Sequence, residues 1–201
     1  MTINELYVEM RACQACPLRQ GCIQVVPGIG QTYSPILMIV GEAPGQQEDE
    51  DGVPFVGQAG MCLREILREV KVINPTNTLI TNTVKCRPPA NKFPKDESPS
   101  ICVSMWLNKE IDIAKPKLMM LLGNVPLKYV AGMSGITSCR GKWFDVKGIK
   151  TMATFHPSYV IRSDRGGDML PRRVFREDIF LVAEEVRRIQ SGNSTPSPVE
   201  L

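Results

Sequence analysis

Seven cysteines and one histidine are the residues of this 201-residue chain with the most distinctive chemistry, and the cysteines are unevenly spread. Cys13 and Cys16 form a C-x2-C pair, and Cys86 and Cys102 follow much later with fifteen residues between them. Two pairs of thiolates can close around one metal centre. A tetrahedral zinc ion and a 4Fe–4S cluster both accept four cysteine ligands, and spacing alone does not separate them. A third reading is that some of these thiols are simply buried, since free cysteine is among the most buried residue types. Cys22, Cys62 and Cys139 have no spaced partner. Cys62 opens the apolar face of a helix and is expected to pack in the core, whereas Cys22 lies close enough to the first pair to compete as a ligand.

His156 is the sole histidine, placed between an apolar run and Pro157. A hydrogen-bonded structural histidine is the ordinary occupant of such a position, and a histidine that donates to a developing negative charge is the chemical alternative. Acidic residues gather in the loop 41–57, at Glu42, Glu48 and Asp49. They read either as a solvated loop face, as acceptors for backbone N–H groups, or as groups that orient water. Phe55, between Pro54 and Val56, reads as core, and Asn82 reads as a turn residue after a strand.

The elements that must position these residues follow from hydrophobic periodicity. Residues 36–40, 79–84 and 117–122 are apolar runs bounded by turn residues, as expected of strands buried on both faces. Leu63, Ile66, Leu67 and Val70 recur at helical spacing, which predicts a helix over 58–71; further helices are expected over Ile3–Arg11, 96–114, 125–130 and 171–189. Trp143–Val146 and 150–155 flank Lys147-Gly148 as a hairpin, and the second run leads into His156. This alternation predicts an α/β fold, one three-layer αβα domain over 1–190 with a central, mostly parallel four-stranded sheet. In such sheets the ligand crevice lies beyond the carboxyl ends of the strands, where the Gly41, Asn82 and His156 loops begin. The Ser/Pro-rich segment 191–201 is expected to be disordered. A net charge of +3 is compatible with a polyanionic partner and decides nothing further. With no run of 18 apolar residues and no secretory leader, the expectation is a cytoplasmic protein with no membrane contact, its thiols reduced, and a monomer.

Four motifs occur in order: Gly41-Glu42-Ala43-Pro44-Gly45-Gln46-Gln47-Glu48-Asp49, Gly52-Val53-Pro54-Phe55-Val56-Gly57, Thr81-Asn82-Thr83-Val84-Lys85-Cys86-Arg87-Pro88-Pro89 and His156-Pro157-Ser158-Tyr159. Together they resemble the family 4 uracil-DNA glycosylases. The resemblance implies a 4Fe–4S cluster on Cys13, Cys16, Cys86 and Cys102, and hydrolysis of the N-glycosidic bond of deoxyuridine in DNA. It implies a substrate pocket built from Gly41, Glu42, Ala43, Gly45, Phe55, Asn82 and His156, with Phe55 stacking on the base and Asn82 reading its edge. His156 and backbone N–H groups near Glu42 and Ala43 would stabilise the departing base. Better-known relatives carry Asp at the position of Ala43, so water would be oriented by Glu42, Glu48 or Asp49, Glu48 being favoured.

The segment Tyr159-Val160-Ile161-Arg162 corresponds to the loop that wedges into the gap left by a flipped base. Ser158, Val160 and Arg162, with Lys85, Arg87 and Lys92 from the cysteine side and Arg165 beyond, are the expected DNA contacts. The stretch 163–168 is more Gly-rich than the family pattern, and Pro126 stands where a small helix former is usual. Two other readings set the limits. A covalent uracil-DNA binder of this fold would carry an Arg-rich, His-containing loop and Gln at position 43, and neither is present. A zinc-stabilised nucleic-acid-binding domain without a reaction would follow if the cysteine match were fortuitous.

Overall fold

The computed structural model describes residues 1–192; the remainder of the segment expected to be disordered, 193–201, lies outside the described residues. In chain order the helices and strands are α1 (Ile3–Arg11), β1 (Ile29–Gly30), β2 (Leu37–Gly41), α2 (Gln46–Asp51), α3 (Gln58–Val70), β3 (Thr78–Asn82), α4 (Ser98–Cys102) and α5 (Asn108–Ala114). There follow β4 (Leu118–Leu122), α6 (Asn124–Ala131), α7 (Ile136–Cys139), β5 (Trp143–Val146), β6 (Ile149–Thr154), α8 (Pro157–Arg165) and α9 (Leu170–Gln190). A π-turn, Val103–Leu107, joins α4 to α5, so the helix expected over 96–114 is one continuous stretch with an extra residue accommodated just after Cys102.

The sheet runs β1-β3-β2-β4-β6-β5. Its four inner strands are mutually parallel, and each edge carries one antiparallel strand, so the expected four-stranded sheet is in fact six-stranded. The extra edges are β5, the expected first half of the hairpin, which joins the sheet, and the two-residue β1, too short and too exposed to show as an apolar run. Every residue of β2 and β4 is buried, as a strand covered on both faces requires.

Side-chain alternation divides the core between the two faces. Leu37, Ile39, Met120 and Leu122 pack against α3 and α9, and Met38, Val40, Met119 and Leu121 pack against α5 and α6. That produces the three layers. A third, smaller cluster joins Leu6, Met10, Leu18, Val25, Val84 and Trp106 around Cys86 and Cys102. The second expected strand, 79–84, ends early at Asn82, where the chain bends, although Thr83 N–H still donates to the Gly41 carbonyl and Val84 N–H to that of Glu42. No helix among the described residues is long and apolar enough to cross a membrane.

Candidate active site

Three strands end at one place. Gly41 closes β2, Asn82 closes β3 opposite it in register, and β6 delivers His156 two residues after Thr154. Beyond them opens a cleft of about 960 Å³ whose lining includes Glu42, Ala43, Gly45, Phe55, Asn82 and His156. The crowding explains the glycine at its floor: a Cβ on Gly41 would lie 2.4 Å from Phe55 Cζ and 2.5 Å from Asn82 Oδ1. Phe55 itself sits at φ 57°, a left-handed conformation unusual for an aromatic residue, and its ring is 6.3 Å from that of His156. The ring, the amide and the imidazole therefore share one wall and floor.

Their polar atoms are not equivalent. Asn82 is buried, yet its side-chain Oδ1 has no hydrogen-bond partner in the protein. Buried acceptors left open are rare and point to a missing ligand or water. His156 is the N-cap of α8, where its Nδ1 accepts from the Ser158 N–H at 3.2 Å. A neutral imidazole so engaged carries its proton on Nε2. Neutrality is enforced: burial, with the Arg162 charge acting in the same direction, pushes the His156 pKa down to about 4. Burial pushes the Glu42 carboxyl up, and Arg162 opposes it.

Glu48 has another task. Its Oε2 accepts from Gly45 N–H at 3.0 Å and its Oε1 from Gly57 N–H at 2.8 Å, so the carboxylate staples both ends of the acidic loop. Asp49 does the same for a neighbouring segment, accepting from the N–H groups of Ile23 and Gln24. Of the acids weighed for orienting water, Glu42 is the one in the cleft whose oxygens are not committed to backbone N–H groups by such a staple.

The expected DNA contacts divide. Arg162 and Ser158 line the cleft, and Arg87 and Lys92 lie on the loop after Cys86, with Arg87 Nε donating to Asn91. Lys85 requires correction. It is 1% exposed and bonded to Glu110 at 2.5 Å, so it cannot reach a phosphate. Val160 requires the same correction: the segment after His156 is a helix, and Val160 faces the core with no exposure. The apolar side chain that α8 turns outward is Tyr159, which is exposed, whereas Ile161 packs against the core. Pro88 and Asn91 line the cleft as well, and nothing in their residue types marked them in the sequence.

On the far side of Cys86 lies a second, apolar cavity lined by Cys13, Cys16, Cys86 and Cys102 together with Leu18, Val25, Ile101 and Trp106. Trp106 Nε1–H donates to Cys13 Sγ at 3.2 Å and Ala15 N–H to the same sulfur at 3.5 Å. Burial pushes the Cys102 thiol up to about 11 and the Cys86 thiol further up, aided in each case by neighbouring thiols. Among the described residues no three His, Cys, Asp or Glu side chains are close enough to share one ion. Four thiols spaced around an apolar cavity, with N–H donors aimed at sulfur, fit a polynuclear iron–sulfur group. Cys22 neighbours Cys86 and is bound by Arg19, Cys62 packs in the core from α3, and Cys139 lies in α7.

An αβα sheet with a polar cleft at the carboxyl ends of its strands defines the class. Residues 27–179 match the model of the Uracil DNA glycosylase superfamily. The chain is 42% identical to the type-4 uracil-DNA glycosylase of Thermotoga maritima over 173 residues, covering 85% of this chain and 87% of that protein. It is 35% identical to that of Sulfurisphaera tokodaii over 192 residues (91% and 84%) and 34% identical to that of Saccharolobus solfataricus over 185 residues (88% and 82%). The chain belongs to the type-4 uracil-DNA glycosylase family.

Proposed function

We propose that the chain hydrolyses the N-glycosidic bond of deoxyuridine in DNA, releasing free uracil and leaving an abasic site as a monofunctional glycosylase of base excision repair. The observation that carries this reading is the buried Asn82 Oδ1 without a partner, in a cleft shared with Phe55 and a neutral His156. Uracil N3–H supplies the missing donor while O4 accepts from the same amide, so one side chain reads the edge. Cytosine offers the reversed pattern and leaves buried polar groups unpaired. The nucleotide must leave the stack to reach this depth, and Phe55 supplies a stacking surface for it.

Cleavage puts negative charge on the departing base. His156 Nε2–H, with backbone N–H groups near Glu42 and Ala43, is aimed at the oxygen that gains this charge. Alanine at position 43 cannot take a proton from water, so leaving-group stabilisation carries most of the rate and Glu42 orients the water. Arg162, Ser158, Arg87 and Lys92 meet phosphates around the opening, and Tyr159 fills the gap in the stack. Cys13 and Cys16 just after α1, Cys86 in the loop after β3 and Cys102 at the end of α4 would hold a 4Fe–4S cluster, which would tie these segments together and supply neither nucleophile nor proton.

The test is incubation of the purified protein with a uracil-containing oligonucleotide, followed by alkali cleavage and mass measurement of the protein. Free uracil, an alkali-labile site and an unmodified protein are expected. A protein–DNA adduct, or an uncleaved strand, would overturn the reading. Iron and acid-labile sulfide are expected in the same preparation, and zinc alone would remove the cluster from it.

A further inference from the structure

Lys85 lies between the two chemical centres. Its ammonium group donates to Thr81 Oγ1 at 2.6 Å, to the main-chain carbonyl of Asn82 at 2.9 Å and to Glu110 Oε2 at 2.5 Å. That uses all three of its N–H bonds. Glu110, on α5, also accepts from Thr81 Oγ1 at 3.0 Å on that same oxygen, and its Oε1 is fixed by the Tyr7 hydroxyl at 2.6 Å. The same lysine borders the thiols: it lines their cavity, and Cys86 is the next residue.

We propose that Lys85 is a positioning residue for base recognition, holding the Asn82 peptide so that the Asn82 amide points into the cleft. The inference rests on the reading of Asn82 as the group that reads uracil. At Asn82 the strand ends in a bend, and the N–H groups of Thr83 and Val84 still donate to the carbonyls of Gly41 and Glu42. The Asn82 carbonyl turns away from that ladder into a buried region, and the ammonium group caps it there. A buried Lys–Glu pair that served the scaffold alone would need no bond to this carbonyl. With the bond, the orientation of the Asn82 backbone, and so the aim of its side chain, is tied through one rigid residue to α5 and to the thiol frame. A misplacement of about 1 Å in such a group is enough to cost on the order of 100-fold in rate.

The single variant K85M strands a buried carboxylate and is expected to fold poorly. K85M/E110Q removes both charges, and the new amide can still accept from Tyr7 and donate to Thr81. E110Q alone keeps the lysine and its bond to Asn82. Each protein is compared with wild type and Asn82→Ala for iron content, inhibition by free uracil, and kcat and KM on a uracil-containing oligonucleotide. In K85M/E110Q uracil inhibition and kcat are expected to weaken about tenfold or more, with KM for DNA and iron content unchanged. E110Q should stay within about threefold of wild type, because a positioned amide rather than a charge pair is being read. Wild-type uracil inhibition and kcat in K85M/E110Q, or an equal loss in E110Q, would overturn the role of Lys85. Undiminished uracil inhibition in Asn82→Ala would instead sink the reading of Asn82 itself, and the proposal with it.

Discussion

Two buried polar centres stand a few residues apart and are built on opposite rules. Around Glu110 every acceptor is answered: Tyr7, Thr81 and Lys85 donate to it, and Lys85 has no N–H left over. In the cleft the Asn82 Oδ1 is buried and unanswered, and His156 keeps its Nε2 proton free by spending Nδ1 on a backbone N–H. Saturation marks the Glu110 centre and vacancy marks Asn82, and an open polar group in a dry environment costs stability that a ligand or water returns. The chain leaves an acceptor open in the cleft and satisfies both carboxylate oxygens of Glu110.

The largest effect that separates the two centres is on stability. Lys85→Met should cost about 3–5 kcal/mol, since Glu110 is left charged, buried and without its main donor. Urea unfolding of the cluster-loaded protein measures it, and a loss below about 1 kcal/mol would mean that the pair is solvated rather than sealed. Next comes Asn82→Ala, where the ledger reverses. Excision should fall on the order of 100- to 1,000-fold, the scale of losing one group that stabilises the transition state, while stability holds or rises because an unpartnered acceptor has gone. Single-turnover rates beside a melting curve decide it. Equal losses of rate and stability would make Asn82 part of the scaffold.

His156 provides the pH test. Its folded pKa, about 4, lies below the ordinary histidine value of 6.5. Between those two values the unfolded chain therefore binds more protons than the folded one, and stability falls as pH falls through this window. Above pH 6.5 both states are unprotonated at this residue and the contribution is flat. The full loss is about 3 kcal/mol, reached near pH 4. His156→Asn should flatten that part of the profile relative to wild type. Parallel profiles would show that the imidazole is more hydrated than its place under Arg162 implies.

How much of this was legible in the sequence varies with the type of constraint. The inner strands were readable because β2 and β4 are buried on both faces and so are unbroken apolar runs. The edge strand Ile29–Gly30 was not, because two exposed residues carry no pattern. The pocket residues were readable as motifs, and the structure brings Gly41, Phe55, Asn82 and His156 together. Lys85 and Val160 misled for one reason: each lies in a functional motif yet serves the core, and residue type alone does not say which way a side chain turns. Glu48 likewise carries the residue type of a base but the hydrogen bonds of a loop staple. Glu110 had no local signal at all, since its partners come from α1 and β3, far away in sequence.

The smallest effect is the sharpest discriminator. Tyr7→Phe removes one donor from Glu110 Oε1 and leaves the bonds from Lys85 and Thr81 to the other oxygen in place. Burial and the facing carboxylate push the phenol pKa well above its ordinary range, so the hydroxyl is a permanent donor and its loss is not masked by titration. A hydrogen bond to a charged group contributes about 1.5–3 kcal/mol, and the cost here should sit near the lower end because Glu110 keeps two donors. Uracil excision should not change, since the Lys85 ammonium still caps the Asn82 carbonyl. A stability loss without a rate loss keeps the two centres distinct. A rate loss matching that of Asn82→Ala would mean that the network shifts as a unit, so that scaffold and site form one cooperative object.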